Sequence, residues 1–217
     1  GPDGPREESA LAFETGRAPR LLVLPALFDE ANKLRRLTVE VMTRLDASGI
    51  DSFLPDLPGS NDSLAPLEDQ TFDQWREAVR VAASHFEATH VLALRGGALL
   101  DPGTLPGWRF AKVNGRSLLR TMLRAQAIAA KEAGREVGTD ALSETARRDG
   151  IELAGWRLGA AMFRALEVAE PLDETRLVDV ALADTGGPGL WLRAEPDEAP
   201  EQADALAAIV AIGMISR

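Results

Sequence analysis

Apolar residues along this chain come in two patterns, short unbroken runs and longer stretches with helical spacing. The first unbroken run, Arg20–Leu24, ends at Pro25 and predicts a strand buried on both faces. Leu34, Leu37, Val41 and Leu45 then form a helical stripe, so residues 32–48 are expected as a helix closed by Gly49. Residues 50–54 predict the next strand, which runs into turn chemistry at 55–62. A second helix over 72–86 places Trp75, Val79 and Ala82 or Ala83 inward, with Asp69 or Thr71 available as its cap. Residues 89–94 predict a strand leading into a short helical stretch cut off at Asp101-Pro102-Gly103. Further on, the pattern predicts a strand at 108–113, a helix from 117 to about 133 and then a polar stretch. An apolar segment at 151–153, a helix near 159–168, a strand at 176–183 and a short extended segment at 189–194 follow. The closing helix is Pro200–Ile215, started by Asp197 or Glu198 and Pro200.

Strands and helices thus alternate through the first 115 residues, the pattern of an α/β fold with a mostly parallel sheet and helices on both faces. Residues 1–19 read as a flexible N-terminal arm with a marginal strand at 10–13, and Gly1-Pro2 as a cleavage scar. Residues 20–217 are expected to form a single domain, with a helical insertion at about 117–166.

Composition narrows the function classes. Apolar residues at 45% and charged residues at 27% are ordinary for a globular chain. A net charge of -10 argues against a nucleic-acid partner. No apolar run approaches the roughly 20 residues of a membrane span, and no secretory signal opens the chain. Without cysteine there is no disulfide framework, no thiolate zinc site and no cysteine nucleophile; a cytoplasmic location is the default expectation.

In a parallel sheet, ligands bind where loops converge at the carboxyl ends of the strands. One such junction is Ala93-Leu94-Arg95-Gly96-Gly97. Enzymes that carry a nucleophilic serine at a strand-to-helix turn place it inside G-x-S-x-G, and small neighbours let the backbone approach closely there. Here the small residues are kept and an arginine stands where the serine would be. A guanidinium stays protonated and cannot be a nucleophile. Arg95 therefore either holds an anionic ligand or forms a buried salt bridge with a loop carboxylate such as Asp56 or Asp29. The loop from Asp56 to Ser63 has the form D-x-x-G-x-x-D-S, and its Asp and Gly read as turn scaffold. The charged stretch from Ala26 to Arg36 stands where an oxyanion loop would stand, or is simply a solvated face.

Only two histidines exist, His85 and His90, and both precede the junction, at the opposite edge of the expected sheet. Ser60, Ser63, Ser84, Ser117 and Ser143 therefore lack an evident base, which excludes standard serine hydrolysis. No carboxylate spacing matches a metal motif, so neither metal nor cofactor is expected.

Several separated segments resemble the second type of hydrolase family associated with exosortase A (PEP-CTERM) protein-sorting and exopolysaccharide systems, within the α/β-hydrolase superfamily. That family's P-F-A-E-E-M-N-K-S-R-R is similar to Ala26 through Arg36, with Phe28, Glu30, Asn32, Lys33, Arg35 and Arg36 carrying the match. Its D-L-x-G-x-G-D-S resembles Asp56 to Ser63, and its G-L-R-x-G resembles Leu94-Arg95-Gly96-Gly97, arginine included. Q-P-x-x-S-G-K is echoed weakly from Val113 to Leu119, and E-I-A-G-Y-R-L-S is similar to Glu152 through Gly159. P-G-P-A-F-W-Q and E-x-A-P resemble Gly187 to Leu192 and Glu198-Ala199-Pro200.

The resemblance implies a truncated α/β-hydrolase-like fold, short of much of the helix after the elbow and of an insert near 184–188. It implies ligand contacts from Phe28, Glu30, Asn32, Lys33, Arg36, Arg95 and Gly96, and no catalytic residue. The functional expectation is a catalytically silent accessory or binding protein. Its partner would be a small anionic ligand or a protein of an exosortase or exopolysaccharide system. Two alternatives stand beside it. One is an esterase-like hydrolase acting on an anionic small molecule, with Asp29 or Glu30 as base. The other is a homodimeric interaction module using the apolar closing helix.

Overall fold

The computed structural model describes residues 7–135, 137–173 and 176–215. Among these residues the main sheet has six strands, in the order β1-β3-β2-β4-β5-β8. They are β1 (Ala10–Phe13), β2 (Arg20–Leu24), β3 (Asp51–Pro55), β4 (His90–Leu94), β5 (Gly107–Phe110) and β8 (Leu177–Val180). β1 runs antiparallel to β3, and every other pairing is parallel. The mostly parallel α/β architecture expected from the sequence is therefore present.

The sheet is covered on both faces because its strands are apolar on both. Leu22, Leu24, Phe53, Val91 and Ala93 point to one side, where α2 (Phe72–His85), α3 (Gly115–Glu132) and α5 (Ala160–Val168) supply Trp75, Leu118, Met122, Phe163 and Leu166. Leu21, Val23, Leu54, Leu92, Leu94 and Phe110 point to the other side. There α1 (Asp29–Ala47) and α7 (Pro200–Ile215) supply Leu34, Leu37, Val41, Leu206, Val210 and Met214. Alternation along each strand divides these two cores. α7 thus spends most of its apolar surface on α1 and the sheet, leaving Ile212 and Ile215 exposed.

The local signals act as their chemistry requires. Thr71 and Gln74 close a reciprocal capping box at the start of α2. Between β5 and β8 lie α3, α4 (Thr139–Asp149), the hairpin β6 (Ile151–Leu153) and β7 (Trp156–Leu158), and α5. α3 and α5 belong to the same core as the sheet. After β8 come α6 (Leu182–Thr185) and a 3-10 turn at Leu190–Leu192.

Several boundaries differ from expectation, among them that of β8, expected over 176–183 but ending at Val180 before α6 begins at Leu182. α1 begins at Asp29, so the loop after β2 is only residues 25–28 and the charged stretch is helical. The polar stretch contains α4, which buries only Ala146 and so carries almost no apolar stripe. Residues 189–194 hold the 3-10 turn instead of an extended segment. β5 ends at Phe110 because Ala111 turns to φ 46°.

The marginal strand at 10–13 is a paired edge strand, and Asp51 fixes the chain beside it. The Asp51 carboxylate accepts N–H donors from Thr15 (3.2 Å), Gly16 (2.9 Å) and Arg17 (2.8 Å). Residues 1–6 of the expected arm lie outside the described residues. No helix among the described residues is long and apolar enough to cross a membrane.

Candidate functional site

β4 ends at Leu94 and the chain turns at once into a 3-10 helix, Arg95–Leu100. Arg95 sits at the tip with φ 50°, a left-handed conformation that is costly for any side chain but glycine. The turn is possible because its neighbours are small. A Cβ on Gly97 would lie 2.6 Å from the carbonyl oxygens of both Leu24 and Pro25, and one on Gly96 would lie 2.7 Å from the Leu118 side chain. The sharp elbow expected at this junction is therefore built, with arginine at its apex.

Three N–H groups of the Arg95 guanidinium, one on each nitrogen, are engaged by the protein. Its Nε and Nη2 donate to the two carboxylate oxygens of Glu30, at 3.1 and 2.9 Å. Its Nη1 donates to the Ala111 carbonyl at 2.8 Å, a carbonyl brought round by the positive φ of Ala111. One face of the group lies 4.1 Å over the Trp191 ring. The side chains of Arg95 and Glu30 are each only 12% exposed. One cation thus fastens the start of α1, the end of β5 and the 3-10 turn at Leu190–Leu192 across the carboxyl end of the sheet. The loop carboxylate that pairs with it is Glu30, not Asp56 or Asp29. Asp29 is bound to Lys33 instead, at 2.7 Å, and Asp56 lies in its own turn.

That turn is scaffold, as its sequence suggested. Asp56 Oδ1 accepts from Asn61 Nδ2 at 2.6 Å. Ser63 Oγ accepts from the N–H groups of Gly59 (2.8 Å) and Ala65 (3.2 Å). Gly59 takes the left-handed position, at φ 83°. Trp75 Nε1 donates to the Pro58 carbonyl and anchors the loop to α2.

The other residues singled out by the resemblance are placed as follows. Phe28 is buried at the start of α1 with φ 57°, its ring against Trp75 and Trp156. Gly96 is buried in the elbow. Lys33 is paired with Asp29, and Arg36 with Glu40 and Glu198. Asn32 lines a cavity of about 550 Å³, which also takes in Gly59, Asn61 and Leu67, the Glu68, Glu152 and Arg157 side chains, and Trp156. This cavity lies between the loop after β3, the first turn of α1 and the β6–β7 hairpin. Trp156 supplies an aromatic wall, and Arg157 stands between Glu68 (3.6 Å) and Glu152 (3.7 Å). Arg95 lines neither this cavity nor a second one described below.

Charge chemistry missed in the sequence lies at the β5–β8 edge of the sheet. Arg109, buried in β5, donates to Asp179 of β8 (2.7 Å) and to the Leu172 carbonyl (2.7 Å). Lys112 joins Asp179 at 2.7 Å. Partial burial raises the Asp179 carboxyl, but hydrogen bonds from Lys112 and Arg109 outweigh it and hold the carboxyl below the usual aspartate range. An arginine inside the apolar run Trp108-Arg109-Phe110 is the signal that could have found this pair. His90 opens β4, stacked on Trp108, and His85 ends α2. Arg95 follows the opposite end of β4, so both histidines stand away from the elbow. Among the described residues, no group of three or more His, Cys, Asp or Glu is arranged to hold a metal ion.

Neither a protein-family model nor a curated protein matches this chain in sequence. Solved structures do match its fold. Est1E from Butyrivibrio proteoclasticus, solved with ferulic acid bound, matches with a TM-score of 0.59 and 12% identity, covering 96% of this chain and 94% of that one. The enol-lactonase from Burkholderia xenovorans LB400 matches with a TM-score of 0.54 and 15% identity, covering 97% and 96%. The bottromycin epimerase BotH, in complex with Bottromycin A2, matches with a TM-score of 0.50 and 12% identity, covering 95% and 93%.

The fold is α/β-hydrolase-like. At such identities the likeness carries the fold alone, and a lactonase beside an epimerase illustrates how many reactions one scaffold hosts. In an α/β-hydrolase-like fold the elbow tip is the place of the nucleophile, held in a strained turn so that it stands exposed. Here the same strained position carries a side chain turned into the protein and bound there on three sides.

Proposed function

We propose that this chain is a ligand-binding protein on an α/β-hydrolase-like fold, catalytically silent at the elbow. The observation that carries this reading is the occupation of Arg95 by Glu30, Ala111 and Trp191. A substrate anion would have to displace Glu30 from a bidentate, charge-assisted pair. The esterase-like alternative, with Arg95 holding substrate and Asp29 or Glu30 as base, loses support for the same reason. Glu30 is the anion that Arg95 holds, and Asp29 is tied to Lys33.

Ligand contact falls instead to the cavity beside Asn32, where amide, carboxylate and guanidinium groups surround one tryptophan. Of the residues implied by the resemblance, Asn32 lines this cavity, and Phe28 packs against its Trp156. The resemblance to exosortase A-associated proteins further supports an accessory role in protein sorting or exopolysaccharide assembly. Gene neighbourhood tests that part separately.

The silent elbow is tested with p-nitrophenyl acetate and butyrate. The purified protein is expected to hydrolyse neither above the buffer rate. Turnover that disappears in the Ser63→Ala or Arg95→Ala variant would overturn the reading.

A further inference from the structure

A second concavity, of about 510 Å³, lies between α3, α4 and α5, away from the elbow. One wall is a row of arginines on α3, Arg116, Arg120 and Arg124, all exposed. Spaced four residues apart, they stand about 6 Å from one another and span about 12 Å along the helix. Among the described residues the side chain of none of the three makes a hydrogen bond or an ion pair, whereas those of Arg17, Arg20, Arg44, Arg95, Arg109 and Arg147 all do. Acidic residues outnumber basic ones by 34 to 24 in this chain, yet the only acid on α3 is Glu132 at its far end. Three like charges at this spacing oppose one another and gain nothing for the fold.

The floor of the groove is formed by Leu119, Leu123 and Phe163, apolar but only 2%, 7% and 0% exposed, so its open apolar surface is Val168 at the rim, at 75% exposure. Across it, Arg147 is bound to Glu167 by Nε and Nη2, leaving Asp140 as the one other acid in the lining. A cationic ladder beside an apolar floor, in a chain of net charge -10, defines what would complement it.

We propose that this groove binds an acidic amphipathic peptide segment of a partner protein. Acidic side chains four apart on a helix, or at alternate positions of a strand, repeat at about 6–7 Å and meet the arginine row in step. An apolar neighbour then covers Val168 at the rim. A single phosphate would engage one or two arginines and leave Val168 uncovered. A nucleic acid or an anionic membrane would extend its charge well beyond the arginine row, against a chain of net charge -10. This inference is independent of the silent elbow and of the cavity beside Asn32.

The test is fluorescence anisotropy at low salt with a fluorescein-labelled helical peptide bearing Leu on one face and Glu at four-residue spacing. Saturable binding is expected, weakened by added salt and by about tenfold or more in the Arg120→Glu/Arg124→Glu variant. Val168→Asp is expected to weaken it as well. All these positions are exposed, and an unchanged circular dichroism spectrum and melting temperature confirm that the variants fold. No saturable binding, equal binding of the Gln-for-Glu peptide, or indifference to the arginine variant each overturns the proposal. So does equal, arginine-dependent binding of inorganic phosphate, a single-stranded oligonucleotide or phosphatidylserine vesicles, which would reassign the groove to that ligand.

Discussion

Replacing Arg95 with methionine is expected to destabilise the protein by about 3 kcal/mol, the scale of breaking a buried ion pair from one side. The variant leaves Glu30 unpaired at 12% side-chain exposure, the Ala111 carbonyl without its donor and the Trp191 face without its cation. Glu30→Gln removes the charge but keeps the shape, so its cost is expected to be smaller. Chemical denaturation of the two single variants and of the double variant separates the pair from its surroundings. Because each single change strands a charge that the double change removes, the double variant is expected to lose clearly less than the sum. Additive losses would show that Arg95 and Glu30 act independently. Arg95→Lys should not rescue, since an ammonium offers no planar fork to two carboxylate oxygens. The clamp ties three segments distant in sequence, so hydrogen exchange in the Arg95→Met variant should rise at the start of α1, at the end of β5 and near Leu190–Leu192.

How far such a clamp can be read from sequence depends on whether the signal is local. β2 and β4 were legible because strands buried on both faces must be continuously apolar, as residues 21–24 and 91–94 are. The inner stripes of α1 and α2 were legible because Leu34, Leu37, Val41 and Trp75, Val79 repeat with the helix. α4 was not, because a helix that buries a single alanine carries no stripe to detect. The elbow was legible from its small residues, since close backbone approach leaves no room for a Cβ. The partner of Arg95 was not. Asp29 and Glu30 are adjacent, and helix phase alone decides that Glu30 turns inward while Asp29 reaches Lys33. That phase depends on α1 starting at Asp29, set by the strained turn at Phe28, which no propensity predicts for a bulky residue. The cavity beside Asn32 needed the β6–β7 hairpin, whose turn residues Ala154 and Gly155 both take positive φ.

The second large effect is expected at Asp51, which holds the edge of the sheet. Its side chain is fully buried, accepting backbone N–H groups from Thr15, Gly16 and Arg17 and lying near the guanidinium groups of Arg17 (3.3 Å) and Arg20 (3.6 Å). Burial alone would push the carboxyl up. The N–H donors of Arg17, Thr15 and Gly16, with the Arg17 charge, outweigh it and hold the carboxyl below the ordinary aspartate range. A carboxyl lowered in the folded state contributes stability above its unfolded pKa of about 4 and loses it as pH falls through the folded value. Asp51→Asn is expected to cost on the order of 2 kcal/mol at neutral pH, the scale of a hydrogen bond to a charged group. Its amide nitrogen would face donors where an acceptor stood. Thermal unfolding from pH 7 down to pH 2 checks the sign: the native and Asp51→Asn curves should converge on acidification. Curves that stay parallel would remove Asp51 from the pH dependence. Because Thr15, Gly16 and Arg17 follow β1 directly, the amides of β1 are expected to lose exchange protection in the variant before those of β2 and β4. An edge strand freed in this way exposes the unpaired side of β3, so the variant should also associate more readily on warming.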